Sequence, residues 1–237
     1  VGPFAIDEGL VSAAEPATTV RIFNINTQKL IVATVPTAEG RALAEGEYTI
    51  PGVPFPAVRI DLEFMDPAGS ITGRLLPTGH PKDVLTLADG RRFTVSIVDA
   101  ANPVVFADAA ELGVTGTELP AELEARRDVV ATLEELRAIA AEMLGIVKDR
   151  REAKAVSPGL PKVGYVAPPG EYRTTPGVTL PVEAMDLQGR LLSMGTAHRS
   201  YMATGAICTG AAAVVKGTLV NAASRATLRE GEPATVR

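Results

Sequence analysis

Ser193–Asn221 reads SMGTAHRSYMATGAICTGAAAVVKGTLVN, a polar turn with glycine that runs into a segment of almost purely small and apolar residues. Gly205 to Val215 (GAICTGAAAVV) carries no charge. The predicted helix is therefore buried on every side rather than amphipathic, with Thr204 as its N-cap. A buried helix that opens on a polar turn points unpaired N–H groups into the protein interior. An anionic ligand is one partner for them, because the helix dipole and the open amides favour negative charge there. The plainer alternative is a core helix whose amides are satisfied by Thr204 and by loop carbonyls.

Working outward, the 237 residues suit one large domain or two small ones, and 46% hydrophobic content is ample for a core. No stretch has the roughly 18 uncharged apolar residues that a membrane span needs, since the best candidate is broken by Lys216. The single cysteine, Cys208, excludes an internal disulfide framework, and no signal-peptide pattern opens the chain, so a reducing cytoplasm is expected. Two histidines and one cysteine leave little for a transition-metal site, and no metal is expected. A net charge of −5 without a Lys/Arg cluster, with 4% aromatic residues and no Trp, argues against nucleic acid. The chain opens on Val1-Gly2-Pro3-Phe4 and closes on Thr235-Val236-Arg237, which reads as an interrupted strand, so it is expected to be a fragment of a longer protein.

Taken in order, Val1 to Val11 reads as the tail of a helix or as a turn, with Gly9 as the stop. Thr18–Asn26 and Leu30–Val35 form a predicted hairpin, and Val58–Phe64 (VRIDLEF) alternates strictly, as a half-buried strand does. Met65–His80 is irregular. Phe93–Val98 and Val104–Phe106 are strands flanking a loop, Asp99–Pro103, suited to ligand contact. Pro120–Leu144 is one long amphipathic helix ended by Gly145. Lys148–Pro161 is a connector, Lys162–Ala167 a short strand and Pro168–Pro181 a loop, while Val182–Leu192 is ambiguous, its Leu187, Leu191 and Leu192 suiting a helix but its short span and Gly189 opposing one. Without regular βαβ alternation the class is α+β, and no nucleotide-binding glycine fingerprint is present.

His80 and His198 lack a carboxylate or cysteine at ligand or triad spacing, so neither reads as a metal ligand or as part of a Ser-His-Asp set. His198 is the better ligand contact because it lies in the turn before the buried helix. Cys208 reads as an inert core thiol. Asn102 before Pro103 is either a ligand contact or a turn residue that caps its own backbone.

Several pieces together resemble the 2-methylaconitate cis-trans isomerase family. They are Val1-Gly2-Pro3-Phe4-Ala5, Glu63 to Ala68 (EFMDPA), Leu76-Pro77-Thr78-Gly79, Asp99 to Pro103 (DAANP), Gly116-Thr117-Glu118-Leu119, Pro161-Lys162-Val163, Ser193-Met194-Gly195 with His198, and Gly217 to Asn221 (GTLVN). That family also holds 4-oxalomesaconate tautomerases and methylitaconate isomerases. The resemblance implies a fold like that of diaminopimelate epimerase, with two pseudo-symmetric domains, each a curved sheet or barrel around a central helix, and a site in the cleft between them. It assigns residues 1–90 to the first domain and 91–237 to the second, with a central helix at about 204–215. It implies a cofactor-independent isomerase that moves a proton or double bond in a small unsaturated di- or tricarboxylate, most simply of the 2-methylaconitate type. A 4-oxalomesaconate-type tautomerase and a non-enzymatic carboxylate-binding relative are the alternatives. The implied substrate contacts are Thr78, Gly79, His80, Asn102, Ser193, Met194, Gly195, His198, Thr204 and Gly205. The catalytic cysteine and lysine of the family are expected upstream of Val1. The expected partner is a small carboxylate, with no nucleic acid and no membrane, and a homodimer is the assembly to test. His80, Thr196 and Arg199 depart from the family pattern and would alter the charge and hydrogen bonding of the pocket.

Overall fold

The computed structural model describes residues 1–50, 53–226 and 234–237, and the chain divides into two compact units, Val1–Pro67 and Ala68–Arg237. The first unit opens with α1 (Gly2–Asp7), which has a proline in its first turn and is followed by Gly9 at a φ of +68°. Its Ala5 and Ile6 pack on Val20, Ala33 and Val35 of a hairpin, β1 (Ala17–Asn24) and β2 (Lys29–Ala38). The Asn24 side chain accepts hydrogen bonds from the Asn26 and Thr27 amides and so closes the predicted turn locally. Two short strands, β3 (Arg41–Ala42) and β4 (Asp61–Phe64), complete this sheet on β2. The alternating stretch 58–64 is thus strand only from Asp61 onward, and Leu62 is 50% exposed. Alternation marks two unlike faces, but burial also needs a layer to cover one of them.

The second unit is built on a six-stranded sheet formed by β5 (Asp83–Thr86), β6 (Arg92–Ala100), β7 (Asn102–Asp108), β8 (Lys162–Ala167), and, beyond the short hairpin β9 (Tyr172–Arg173) and β10 (Thr179–Leu180), β11 (Gln188–Ser193) and β12 (Thr196–Ala197). The spatial order is β12-β11-β8-β7-β6-β5, and every pairing is antiparallel except β7 with β8. A parallel pair needs a crossover, and this one carries α2 (Pro120–Ala125), α3 (Arg127–Met143) and α4 (Ala153–Val156). The helix expected over 120–144 therefore comes as two, because Arg126 leaves helical geometry (φ −80°, ψ 71°). Its guanidinium bonds the Gly113 carbonyl and pairs with Asp128, which opens α3.

Helix α3 covers one face of the sheet. Leu133, Leu136, Ile139 and Ala140 pack there on Val95, Ile97, Val105, Val163, Tyr165 and Leu192. The other face carries α5 (Ala203–Val214) and α6 (Leu219–Ala223), where Met202, Cys208, Ala212, Leu219 and Val220 meet Val98, Val104, Phe106, Val166 and Leu191. Burial on both faces is why β6, β7 and β8 read as nearly continuous apolar runs.

Several expectations change here. Strands β6 and β7 pair as far as Ala100 with Asn102, so Asp99–Pro103 is no open loop but a turn at one residue, Ala101, with a φ of +62°. The second compact unit begins at Ala68, with β5 paired to β6 and residues 69–72 held by Asp99. The Asp99 carboxylate is fully buried and accepts from the Ser70 hydroxyl (2.5 Å), the Ile71 and Thr72 amides (2.9 and 2.7 Å) and the Thr72 hydroxyl (2.8 Å). The segment 182–192 is a short 3-10 turn (Val182–Ala184) followed by β11, and residues 234–237 form no strand.

Helix α5 is the largest revision. It is buried on one face, at Gly205, Cys208, Thr209, Ala212 and Ala213, and not all round. Its opposite face, with Ala206, Gly210 and Val214, borders a cavity of about 460 Å³ shared with Tyr172, Leu187 and Tyr201. Uniformly apolar composition fixes no single buried stripe, so packing alone selects it. The N-cap is Met202, without a side-chain cap bond, and Thr204 lies inside the first turn.

Candidate functional site at the start of helix α5

The first intrahelical bond of α5 runs from the Ala206 amide to the Met202 carbonyl, 2.8 Å. Among the described residues the amides of Ala203, Thr204 and Gly205 find no protein acceptor. They are the orphan donors of a helix start. Gly205 lets this turn sit close to the sheet, since a Cβ there would lie 2.4 Å from Leu191 Cδ1. Any larger residue at 205 would therefore disturb packing as well as the turn.

Strand parity decides what faces these amides. On β7 the residues Val104 and Phe106 point to the α5 side, on β8 Val166 does, and on β11 Leu191 does. Period-two alternation then places Asn102, Lys162 and Ser193 on that same side, at one edge of three neighbouring strands. Asn102 Nδ2 donates to Thr204 Oγ1 at 2.9 Å, which ties the β6–β7 turn to the helix start. Lys162 Nζ donates to the Gly159 carbonyl and to Ser193 Oγ, both at 3.2 Å, and burial lowers its pKa. His198 follows β12, its amide bonded to the Leu191 carbonyl at 2.9 Å. Its Nδ1 lies against the Ser200 carbonyl.

Not all of the expected contacts gather here. Met194 and Gly195 form the β11–β12 turn with φ of +53° and +80°, and they border the groove along α3 beside Arg127 and Glu134, on the other face of the sheet. Thr78, Gly79 and His80 lie elsewhere again. Thr78 Oγ1 donates to Asp83 at 2.7 Å, Gly79 has a φ of +80°, and His80 is exposed. The next residue, Pro81, offers its carbonyl to Ser96 Oγ at 2.6 Å, and that hydroxyl also accepts from the Leu219 amide at 2.8 Å. This loop is thus fastened where α6 begins, past the far end of α5, and a 12-residue helix is about 18 Å long.

Cys208 is fully buried and donates its thiol to the Val98 carbonyl at 3.2 Å, and burial pushes its pKa up to about 12. Such a thiol is no nucleophile at neutral pH. Lys162 is the member of the array that residue-by-residue reading passes over. Its signal was the alternation of KVGYVA, which puts it out of step with the buried Val163 and Tyr165. Among the described residues no cluster of three or more His, Cys, Asp or Glu could hold a metal ion, and no helix is long and apolar enough to cross a membrane. The array can receive negative charge: it offers three amides, two hydroxyls, an amide side chain and one cation.

Known proteins agree with the fold. The chain is 41% identical over 242 residues to a 3-methylitaconate isomerase of Eubacterium barkeri, covering 100% of this chain and 63% of that protein. It is 39% identical over 231 residues to a 2-methyl-aconitate isomerase of Shewanella oneidensis, covering 94% of this chain and 58% of that protein. The crystal structure of a methylitaconate-delta-isomerase superposes with a TM-score of 0.84 at 41% identity, over 97% of this chain and 59% of that one. The chain thus spans about three fifths of the length of these relatives. The model of the PrpF protein family matches residues 1–232, and the chain belongs to that family.

Proposed function

We propose that the protein containing this chain is a cofactor-independent isomerase of a small unsaturated di- or tricarboxylate, of the 2-methylaconitate cis-trans type. The observation that carries this reading is the set of three amides at the start of α5 without a protein acceptor among the described residues, beside the Asn102–Thr204 pair. A carboxylate bound there would hold its oxygens against fixed donors. Moving a proton or double bond next to a carboxylate spreads negative charge onto those oxygens, and preorganised donors stabilise that charge more than the ground state. The base must come to the carbon from another group, since Cys208 is sealed in the core. By family resemblance that base is a cysteine, aided by a lysine, in residues that precede Val1. A chain whose one cysteine is buried and unpaired suits the reducing cytoplasm, where we place the protein.

The test is isotope exchange with the full-length protein in deuterated water. Incubation with cis- and trans-aconitate and their 2-methyl derivatives should bring deuterium onto the carbon next to the carboxylate, together with isomerisation. Absence of exchange across the panel would overturn the isomerase reading.

A further inference from the structure

The segment between α4 and β8 is held mainly by side chains. Among the described residues Pro158, Gly159 and Leu160 make no backbone–backbone hydrogen bond. Proline has no N–H to give, and a loop without such bonds has little of its own to fix its peptide planes. The anchor comes from α3. Arg137 is buried there and sends Nη1 to the Ser157 carbonyl at 2.7 Å and to the Leu160 carbonyl at 3.1 Å. Its Nε and Nη2 meet the two oxygens of Glu134 at 2.8 and 2.7 Å, so a two-pronged ion pair on the same helix locks the guanidinium. The Ser157 hydroxyl adds a second bond to the Leu160 carbonyl at 2.9 Å.

A buried cation is costly to a fold, and what this one fixes reaches the array. Successive carbonyls of the loop serve opposite faces of the sheet. Leu160 turns its oxygen to Arg137 on the α3 side, and Gly159 turns its oxygen to the ammonium of Lys162, which strand parity places on the α5 side. Lys162 is half-buried, and both bonds of its ammonium, to the Gly159 carbonyl and the Ser193 hydroxyl, are 3.2 Å long. Strong bonds from a cation are shorter, roughly 2.7–2.9 Å when the acceptor is charged. A lysine side chain is flexible, so two long bonds hold it only where their acceptors are themselves held.

We infer that Arg137, on the far face of the sheet, is a positioning residue for the site: its clamp on the Ser157 and Leu160 carbonyls fixes the Gly159 carbonyl against which the Lys162 ammonium rests. This rests on the reading of the array at the start of α5 as a carboxylate site. Arg137 itself touches no ligand and acts through the loop.

Amine acylation of the full-length protein, read residue by residue by mass spectrometry over a range of pH, tests this without requiring activity. Burial lowers the Lys162 pKa, so a side chain released from its place should titrate nearer an ordinary lysine. Arg137→Lys keeps the charge but loses the fork, and the labelling midpoint of Lys162 should rise by about half a pH unit, with a larger rise in Arg137→Met. Ile139→Ala removes packing from the same helix and should leave the midpoint in place. An unmoved midpoint in both Arg137 variants, or an equal rise in Ile139→Ala, would overturn the assignment. Should both Arg137 variants fail to fold, Glu134→Gln decides, since it loosens the fork and keeps the guanidinium: the midpoint should rise by a smaller amount, and no rise would overturn the assignment. The link to the ligand is read by calorimetry with tricarballylate, a saturated tricarboxylate that cannot isomerise. Arg137→Lys should weaken its binding about fivefold, the cost of leaving one long side chain to be ordered by the ligand, and Ile139→Ala should not. A raised midpoint with unchanged affinity would overturn the role of Arg137 in the site. A wild type that binds no tricarballylate would refute the carboxylate reading instead, and the labelling would still decide whether Arg137 places Lys162.

Discussion

Two places in the second unit gather hydrogen-bond donors, and they are answered differently. Around residues 70–72 the two amides and two hydroxyls converge on the buried carboxylate of Asp99, which the chain supplies from its own β6. At the start of α5 three amides converge on nothing that the chain supplies among the described residues. The contrast teaches that donors gathered for architecture meet an internal acceptor, whereas donors left open next to a cation and a fixed amide side chain suit a ligand.

The strongest way to break the comparison is to remove the internal anion. Asp99→Asn keeps the size but takes the charge from four donors, and it should cost about 3 kcal/mol of stability in urea titration. A cost below about 1 kcal/mol would show that the 69–72 turn holds itself up, and that internal answering is not what organises it.

A subtler change makes the second place resemble the first. Asn102→Asp would set a carboxylate beside the α5 amides, so the chain would answer its own donors. Tricarballylate binding should fall about tenfold, or roughly 1.4 kcal/mol, while thermal unfolding shifts upward by the few tenths of a kcal/mol that an acid near a helix start supplies. Binding and stability that fall together would mean that Asn102 is only a packing residue.

Glu118 offers the smallest and most exposed case of internal answering. Burial raises its pKa, but hydrogen bonds from the Thr115 amide and hydroxyl and the Gly116 amide outweigh that and leave the pKa below the ordinary carboxylate value. A carboxylate with a depressed folded-state pKa adds stability that is fully present above the unfolded value, near 4.3, and is lost as pH falls through the folded value. Glu118→Gln should therefore flatten the acid limb of the stability curve and leave its pH dependence above 6 unchanged. An unaltered acid limb in equilibrium unfolding would remove Glu118 from the comparison.

Much of this was legible in advance where the signal is local. The hairpin of β1 and β2, the strand Lys162–Ala167 and the stop after α1 follow from alternation, β-branched runs and a single glycine. The site was legible only in part. Thr204 looks like a cap because Ser, Thr, Asp and Asn usually cap, yet its hydroxyl is engaged by Asn102, 102 positions away. Asn102 reaches the start of α5, and Ser193 joins Lys162 on the same side of the sheet, but Thr78, Gly79 and His80 are fastened near α6, and Met194 with Gly195 turns to the other face. Motif order along the chain cannot tell which ends of which strands lie together, because register between distant strands is a non-local quantity.

By itself the sequence determined the α+β class, the family, most strands and an uncharged helix near the C-terminal end of the chain. These rest on neighbours within a few positions, where steric preference and hydrophobic period act directly. Only the tertiary structure decided which stripe of that helix is buried, which three amides stay open, and that Lys162 shares a face with Asn102. The physical reason is that an all-apolar helix has no preferred side of its own and a charge has no partner of its own, until packing against the sheet assigns both.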